Sequence, residues 1–239
     1  MLIVNRLFER NITRKDFNTL APKKWVSETV IDCMFELLTL KSHIHAAHNS
    51  MKKPDYFVQI AFAEMAIYEN LNLATAPDYL KGQFFKSEPF NNPEKYDKIF
   101  IPMCANIQRT HFALLVLHHD RKEMHYIDSQ PDYDITDIEK TREYKVKQIL
   151  CILNKEYEEY KLLNDLNGLP DICPHGYQDN NYDCGLFTIL HAEHISQKGI
   201  KDLNKKVKQS TISSKKIRNK IYSVLATYQK KDFQYFYER

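Results

Sequence analysis

Gly176-Tyr177-Gln178-Asp179-Asn180-Asn181-Tyr182-Asp183-Cys184-Gly185-Leu186-Phe187 is the stretch on which the reading of this chain turns. Residues 178 to 183 are too polar for a core strand, whereas Leu186, Phe187, Ile189, Leu190 and Ile195 recur along one side of a helix. The pattern predicts that Cys184 lies at a helix N-terminus. There the unpaired backbone N–H groups and the helix dipole favour a thiolate, and a neighbouring imidazolium favours it further. Gln178 adds a side-chain amide able to donate to a developing oxyanion. Gly185, directly after the cysteine, lets a substrate backbone approach closely. An isolated Asp-Cys-Gly fits an inert capping thiol equally well, so the reading depends on what the rest of the chain supplies.

Upstream, Ile99-Phe100-Ile101, His111 to His119 and Glu123 to Asp128 read as strands, rich in β-branched, aromatic and aliphatic residues. The polar run His118-His119-Asp120-Arg121-Lys122 is a plausible hairpin turn. Folding the chain back about it brings Asp128 to within about two residues of register with His111. An aspartate so placed can accept a hydrogen bond from the imidazole and fix its tautomer, leaving the other ring nitrogen as a base. Ser27 with Glu28 behind it opens a helix whose apolar positions are Val30, Met34, Leu37 and Leu38, and a second helix is expected from about Tyr56 to Asn70. Helical spacing returns at Val146, Ile149, Leu150, Leu153 and Tyr157, after Cys184, and at Ile217, Ile221, Val224, Leu225 and Tyr228. Helices, then strands, then helices indicate an α+β fold. With 239 residues, 43% hydrophobic, and no Gly/Ser/Pro-rich linker, one catalytic domain is expected over 1–239. Its motif-bearing core spans about 99–195, preceded by a helical part, 1–95, and followed by a basic helical part, 200–239.

His111-Phe112-Ala113-Leu114, Tyr126-Ile127-Asp128-Ser129 and Gln178-x-Asn180-x-Tyr182-Asp183-Cys184-Gly185 resemble the three signature motifs of the Ulp/SENP cysteine proteases of clan CE, in that family's order of His, Asp, Cys. Trp25-Val26-Ser27-Glu28-x-Val30-Ile31 is similar to the Trp-Leu-x-Asp segment that opens the family's domain. The resemblance implies a papain-like or adenain-like fold, a central mixed sheet flanked by helices with the nucleophile at a helix N-terminus. It further implies Cys184 as nucleophile, His111 as base, Asp128 as orienter, and Gln178 with the Cys184 backbone N–H as oxyanion hole. Trp25, Phe112 and Gly185 would line the substrate's path. The family usually carries Trp after the catalytic histidine, where this chain has Phe112, and Glu28 stands where the family has an acidic contact to the modifier. The implied activity is cleavage after the C-terminal Gly-Gly of ubiquitin or a relative such as SUMO or NEDD8, without a cofactor. An acetyltransferase of the YopJ type on the same framework, or a binding module that no longer cuts, are the alternatives.

Other features carry less chemistry. Five cysteines, Cys33, Cys104, Cys151, Cys173 and Cys184, cannot all pair internally, so a disulfide scaffold is excluded and the other four read as small core fillers. His43-x-His45-x2-His48 and His191-x2-His194 lack the Glu or Cys partners of a zinc site, so no metal is expected. His118, His119, His125 and His175 compete for the role of base, and only His111 has a matching aspartate. Net charge is +3, yet residues 201 to 220 alone hold seven lysines and Arg218 against Asp202. Without interleaved aromatics this stretch reads as a solvated face and not as a nucleic-acid platform. No apolar run is long enough for a membrane span, so a monomer of the cytoplasm or nucleus is expected. Abundant Lys, Ile, Asn and Tyr suggest an AT-rich genome, which fits a secreted effector acting in a host cytosol or an endogenous deSUMOylase.

Overall fold

The computed structural model describes residues 3–7, 10–50, 52–60, 63, 87–104, 110–130, 146–147, 149–150, 153–154, 157, 159–163, 178–199 and 214–227. Its centre is a five-stranded mixed sheet in the order β3 (Tyr56–Phe57), β4 (Ile99–Cys104), β5 (Phe112–His118), β6 (Glu123–Ile127), β7 (Lys161–Leu162). The inner pairs β4–β5 and β5–β6 are antiparallel and the outer pairs are parallel. All seven residues of β5 are buried, because both faces of the sheet are covered. On one face Phe100, Leu114, Val116 and Ile127 pack into a cluster with α2 (Glu28–Ala47), α3 (Cys184–Lys198) and α4 (Ser214–Thr227). On the other, Ile101, Met103, Leu115, Leu117 and Tyr126 meet Phe90, Val146, Ile149 and Leu153. The α+β class follows directly from this arrangement.

The helix starts have local causes. Thr13 and Asp16 form a reciprocal capping box at α1 (Arg14–Asn18). Ser27 caps α2, its hydroxyl accepting from the Val30 N–H, and it also donates to Asp16 Oδ1 at 3.1 Å. Val30, Met34, Leu37 and Leu38 are buried as their spacing requires. Truncating Leu37, 1% exposed, to Ala is expected to cost about 2–5 kcal/mol.

Three departures from the sequence reading stand out. Residues 1–95 are not helical throughout: β1 (Ile3–Leu7) and β2 (Arg10–Thr13) form an antiparallel hairpin. Tyr56–Phe57 is a strand parallel to β4 and not a helix start, since Tyr56 N–H donates to the Lys98 carbonyl and Val58 N–H to that of Phe100. The predicted helix there begins only around Ile60, and most of residues 61 to 70 lie outside the described residues. Arg218 is not part of a solvated face but is 2% exposed; residues 201–213 of the basic stretch and Tyr228 lie outside the described residues.

The β5–β6 connection is a short 3-10 turn, His119–Arg121, closed by Lys122 at φ 54°. That left-handed backbone is compensated by the Lys122 ammonium, which sits over the rings of Tyr157 and Tyr160 at 5.6 and 5.3 Å. Beside it, His118 and His125 are both buried, and neither ring nitrogen of His125 has a hydrogen-bond partner; Glu123 Oε2, at 3.8 Å, is too far. Burial holds both imidazoles below the ordinary histidine value. With the folded value depressed, the unfolded chain binds more protons at these two positions, so they cost nothing above about pH 6.5 and a growing amount as pH falls below it. Between pH 7 and pH 5 the melting temperature of His125→Leu should therefore move less towards instability than that of the wild type. Equal slopes would contradict this account.

Candidate active site

Asn180 shapes the loop that delivers Cys184. Its Oδ1 accepts from the N–H groups of Tyr182 and Asp183, both at 3.0 Å, while its Nδ2 donates to Asp183 Oδ2 at 3.0 Å. The chain then enters α3 at Cys184, with Asp183 at the N-cap but making no side-chain cap bond. The first-turn N–H groups of α3 therefore have no side-chain acceptor from the capping residue. Cys184 is 2% exposed, and its thiol donates to the Thr110 carbonyl at a long 3.7 Å.

The neighbouring residue, His111, stands immediately before β5, and Asp128 immediately after β6. The observed register pairs Leu114 with Ile127, which leaves His111 and Asp128 offset by two positions at one end of the sheet. His111 Nε2 lies 2.8 Å from Asp128 Oδ1. That leaves Nδ1 for Cys184, with which His111 shares a hydrogen bond. Asp128 is 1% exposed and further held by Tyr126, whose hydroxyl donates to Oδ2 at 2.7 Å, and by the Gln130 N–H at 2.9 Å.

The electrostatics follow from these contacts. Burial pushes the Asp128 carboxyl up, but the His111 charge and hydrogen bond, the Gln130 N–H and the Tyr126 hydroxyl outweigh it and hold the carboxyl below its usual range. Burial likewise pushes His111 down, yet the Asp128 charge and the hydrogen bonds to Asp128 and Cys184 raise it to about 10. The ring therefore carries both protons at neutral pH, and an imidazolium faces the sulfur. Sulfur, imidazolium and carboxylate are all buried and are linked through His111.

Gln178 closes the other side. Its N–H donates to the Ser129 carbonyl at 2.8 Å, and the Ser129 hydroxyl donates to Gln178 Oε1 at 2.7 Å. These two bonds fix which way the amide faces. Its Nε2 then donates to Gln130 Oε1 at 3.0 Å and to the Asn180 carbonyl at 2.5 Å. Trp25 is 54% exposed and its indole N–H donates to the Asn181 carbonyl at 2.5 Å, so this side chain lies on the same loop.

Phe112 and Gly185 are both packed into the helix-side core. Phe112 is 5% exposed and belongs to the helix-side core together with Cys104, Leu114 and Cys184. At Gly185 a Cβ would sit 3.1 Å from Ile31 Cδ1 and 3.3 Å from Val26 Cβ. A side chain there would press on both, so the close packing of α3 on α2 is a structural reason for this glycine. His118 and His119 lie at the far end of β5, roughly 20 Å of strand from His111; His125 lies on β6 opposite Val116. His175, Gly176, Cys151 and Cys173 lie outside the described residues. No group of three His, Cys, Asp or Glu side chains among the described residues could hold a metal ion.

Tyr126, Ser129 and Gln130 are the side chains that sequence reasoning left without a role. Tyr126 and Asp128 are two apart on an extended segment, a spacing that points both to one side, and this was the available signal.

The fold and this constellation define a cysteine-protease type of domain. Residues 24–226 match the Ulp1 protease family, C-terminal catalytic domain, and the chain belongs to that family. It is 24% identical over 180 residues to ubiquitin-like-specific protease 1 of Saccharomyces cerevisiae, covering 75% of this chain and 25% of that protein. It is 25% identical over 204 residues to mouse sentrin-specific protease 2, covering 82% of this chain and 30% of that one. The chain thus spans under a third of the length of these relatives. Among solved structures, the Ulp1 protease domain in complex with Smt3, the yeast ortholog of SUMO, superposes with a TM-score of 0.61 at 19% identity, covering 94% of this chain and 87% of that one. The Chaetomium thermophilum Ulp1-like SUMO protease catalytic domain gives 0.62 at 19% identity, covering 93% and 81%. No helix among the described residues is long and apolar enough to cross a membrane.

Tyr126→Phe should remove about 1 kcal/mol of support from the Asp128–His111 pair. In a histidine NMR titration the His111 midpoint, raised to about 10 in the wild type, should move down by roughly 0.7 in pH. An unchanged midpoint would show that the tyrosine hydroxyl does not act on the pair.

Proposed function

We propose that this chain is a thiol isopeptidase that releases SUMO from its conjugates by cleaving after the modifier's C-terminal Gly-Gly. The observation that carries the reading is the 2.8 Å His111–Asp128 bond beside a cysteine at the first residue of α3. The modifier class is supported by the relatives, named for ubiquitin-like and sentrin specificity, and by the similar domain solved with Smt3.

In this reading the Cys184 sulfur attacks the carbonyl carbon of the terminal glycine and the carbonyl π pair moves to oxygen. The Cys184 backbone N–H, at the helix N-terminus, receives that oxyanion. Gln178 Nε2 joins it by giving up its 3.0 Å bond to Gln130 Oε1, the longer of its two side-chain bonds. As the tetrahedral species collapses, the C–N bond breaks and His111 passes its Nδ1 proton to the departing lysine amine. Water, deprotonated by the now neutral imidazole, then attacks the thioester and frees Cys184. Asp128 remains ionised throughout and keeps Nε2 protonated. Trp25, exposed and bonded to the Asn181 carbonyl of the cysteine loop, is the aromatic that would lie over the incoming tail.

The test is a panel of propargylamide-terminated SUMO, ubiquitin and NEDD8. SUMO should label the wild type in a thiol-dependent manner, and Cys184→Ala should abolish labelling. Preference for ubiquitin or NEDD8 would overturn the assignment of the modifier. Absence of labelling by all three would overturn the peptidase reading, and transfer from labelled acetyl-CoA would replace it with an acyltransferase.

A further inference from the structure

Arg218 of α4 uses its whole donor set on the region around the site. Nε donates to Ser214 Oγ at 3.2 Å, Nη1 to the carbonyls of Thr19 at 2.9 Å and Ala21 at 3.0 Å, and Nη2 to the Lys24 carbonyl at 2.7 Å and to Asp183 Oδ1 at 2.5 Å. Five acceptors meet the five N–H donors of a guanidinium. The same Asp183 oxygen accepts from Ser214 Oγ at 3.1 Å. The two ends of this arrangement are one residue from Trp25 and one residue from Cys184. A second tie runs in parallel, since the Trp25 indole N–H bonds the Asn181 carbonyl.

A buried ion pair contributes little net stability against its desolvation cost, so energetics alone do not explain such a cluster. Geometry does. Only a planar fork can hold three carbonyls of the 19–24 segment and the carboxylate of Asp183 at fixed separations. We propose that Arg218 is a positioning residue that sets Trp25 against the 181–184 loop and thereby fixes how the substrate's tail is held beside Cys184. This rests on the isopeptidase reading for its kinetic consequence, but not for its structural one. A displacement of about 1 Å at such a site can cost on the order of a hundredfold in rate.

The chain contains one tryptophan, Trp25, so its intrinsic fluorescence reports the predicted change without any substrate. Full-length Arg218→Lys offers three donors from one point and cannot serve both ends. Its emission should move to longer wavelength, and acrylamide should quench it more strongly. With SUMO-aminomethylcoumarin as substrate, KM should rise by about tenfold or more, while alkylation of Cys184 by iodoacetamide, which needs no channel, stays within about twofold. Ser214→Ala, which leaves no buried charge unpaired, should change the same quantities in the same direction but by less, and supplies the reading if Arg218→Lys fails to fold. Unaltered emission and quenching in folded variants would overturn the proposal. So would activity and alkylation falling together in proportion to the folded fraction, which is what a merely structural role predicts. A wild type that does not turn over the coumarin substrate counts against the isopeptidase reading alone, because the fluorescence result stands apart from it.

Discussion

The register of β5 against β6 is the constraint on which the rest of the site depends. Pairing Leu114 with Ile127 leaves His111 and Asp128 just beyond the ladder at the same end, close enough for a 2.8 Å bond. A slip of one residue would turn Leu114, Val116 and Ile127 away from the helix-side core and drive Leu115, Leu117 and Tyr126 out of the opposite one. Because both faces of β5 are buried, each face opposes the slip. The bond is thus held by two hydrophobic cores, neither of which touches it. α3 then packs across the same strands and carries Cys184 to Thr110 and His111.

Two carboxylates are buried around Cys184, and the protein neutralises them differently. Asp128 faces an imidazole, a group that can give its proton away, and is also braced by Tyr126 and the Gln130 N–H. Asp183 faces a guanidinium, which cannot. The first pair can therefore take part in proton transfer while the second remains a fixed feature of the loop. Gln130 touches both the Asp128 carboxylate, through its N–H, and the Gln178 amide, through its side chain, so the strand end and the candidate oxyanion donor share a neighbour.

What the sequence made legible was local. The Ser27 cap, the α2 apolar face, the hairpin about residues 118 to 122 and the helix beginning at Cys184 follow from caps, periodicity and turn chemistry within a few residues. What it hid was decided at long range. Tyr56–Phe57 is a strand because β4 supplies its partners and Phe100 stacks on Phe57 with centroids 4.4 Å apart, some forty residues later in the chain. That Gly185 packs against Ile31 and Val26 of another element is likewise invisible in its own neighbourhood of the sequence. Arg218 is masked by the lysines around it. Its position three and seven residues before Ile221 and Leu225 puts it on the buried face of α4, and that spacing was the clue.

Asp16 connects two helix starts that sequence alone treats as separate. Its Oδ2 accepts from the Thr13 backbone and hydroxyl at the head of α1, and its Oδ1 accepts from Ser27 at the head of α2. These bonds hold its carboxyl below the usual range against the opposing effect of burial. The first turn of α2 cannot fray without releasing α1, and α1 cannot unwind without loosening the Ser27 cap. Local opening at the amino-terminal side of the molecule is therefore a shared event of two helices, and the wall of α2 that backs Gly185 acquires the persistence of a larger cooperative unit.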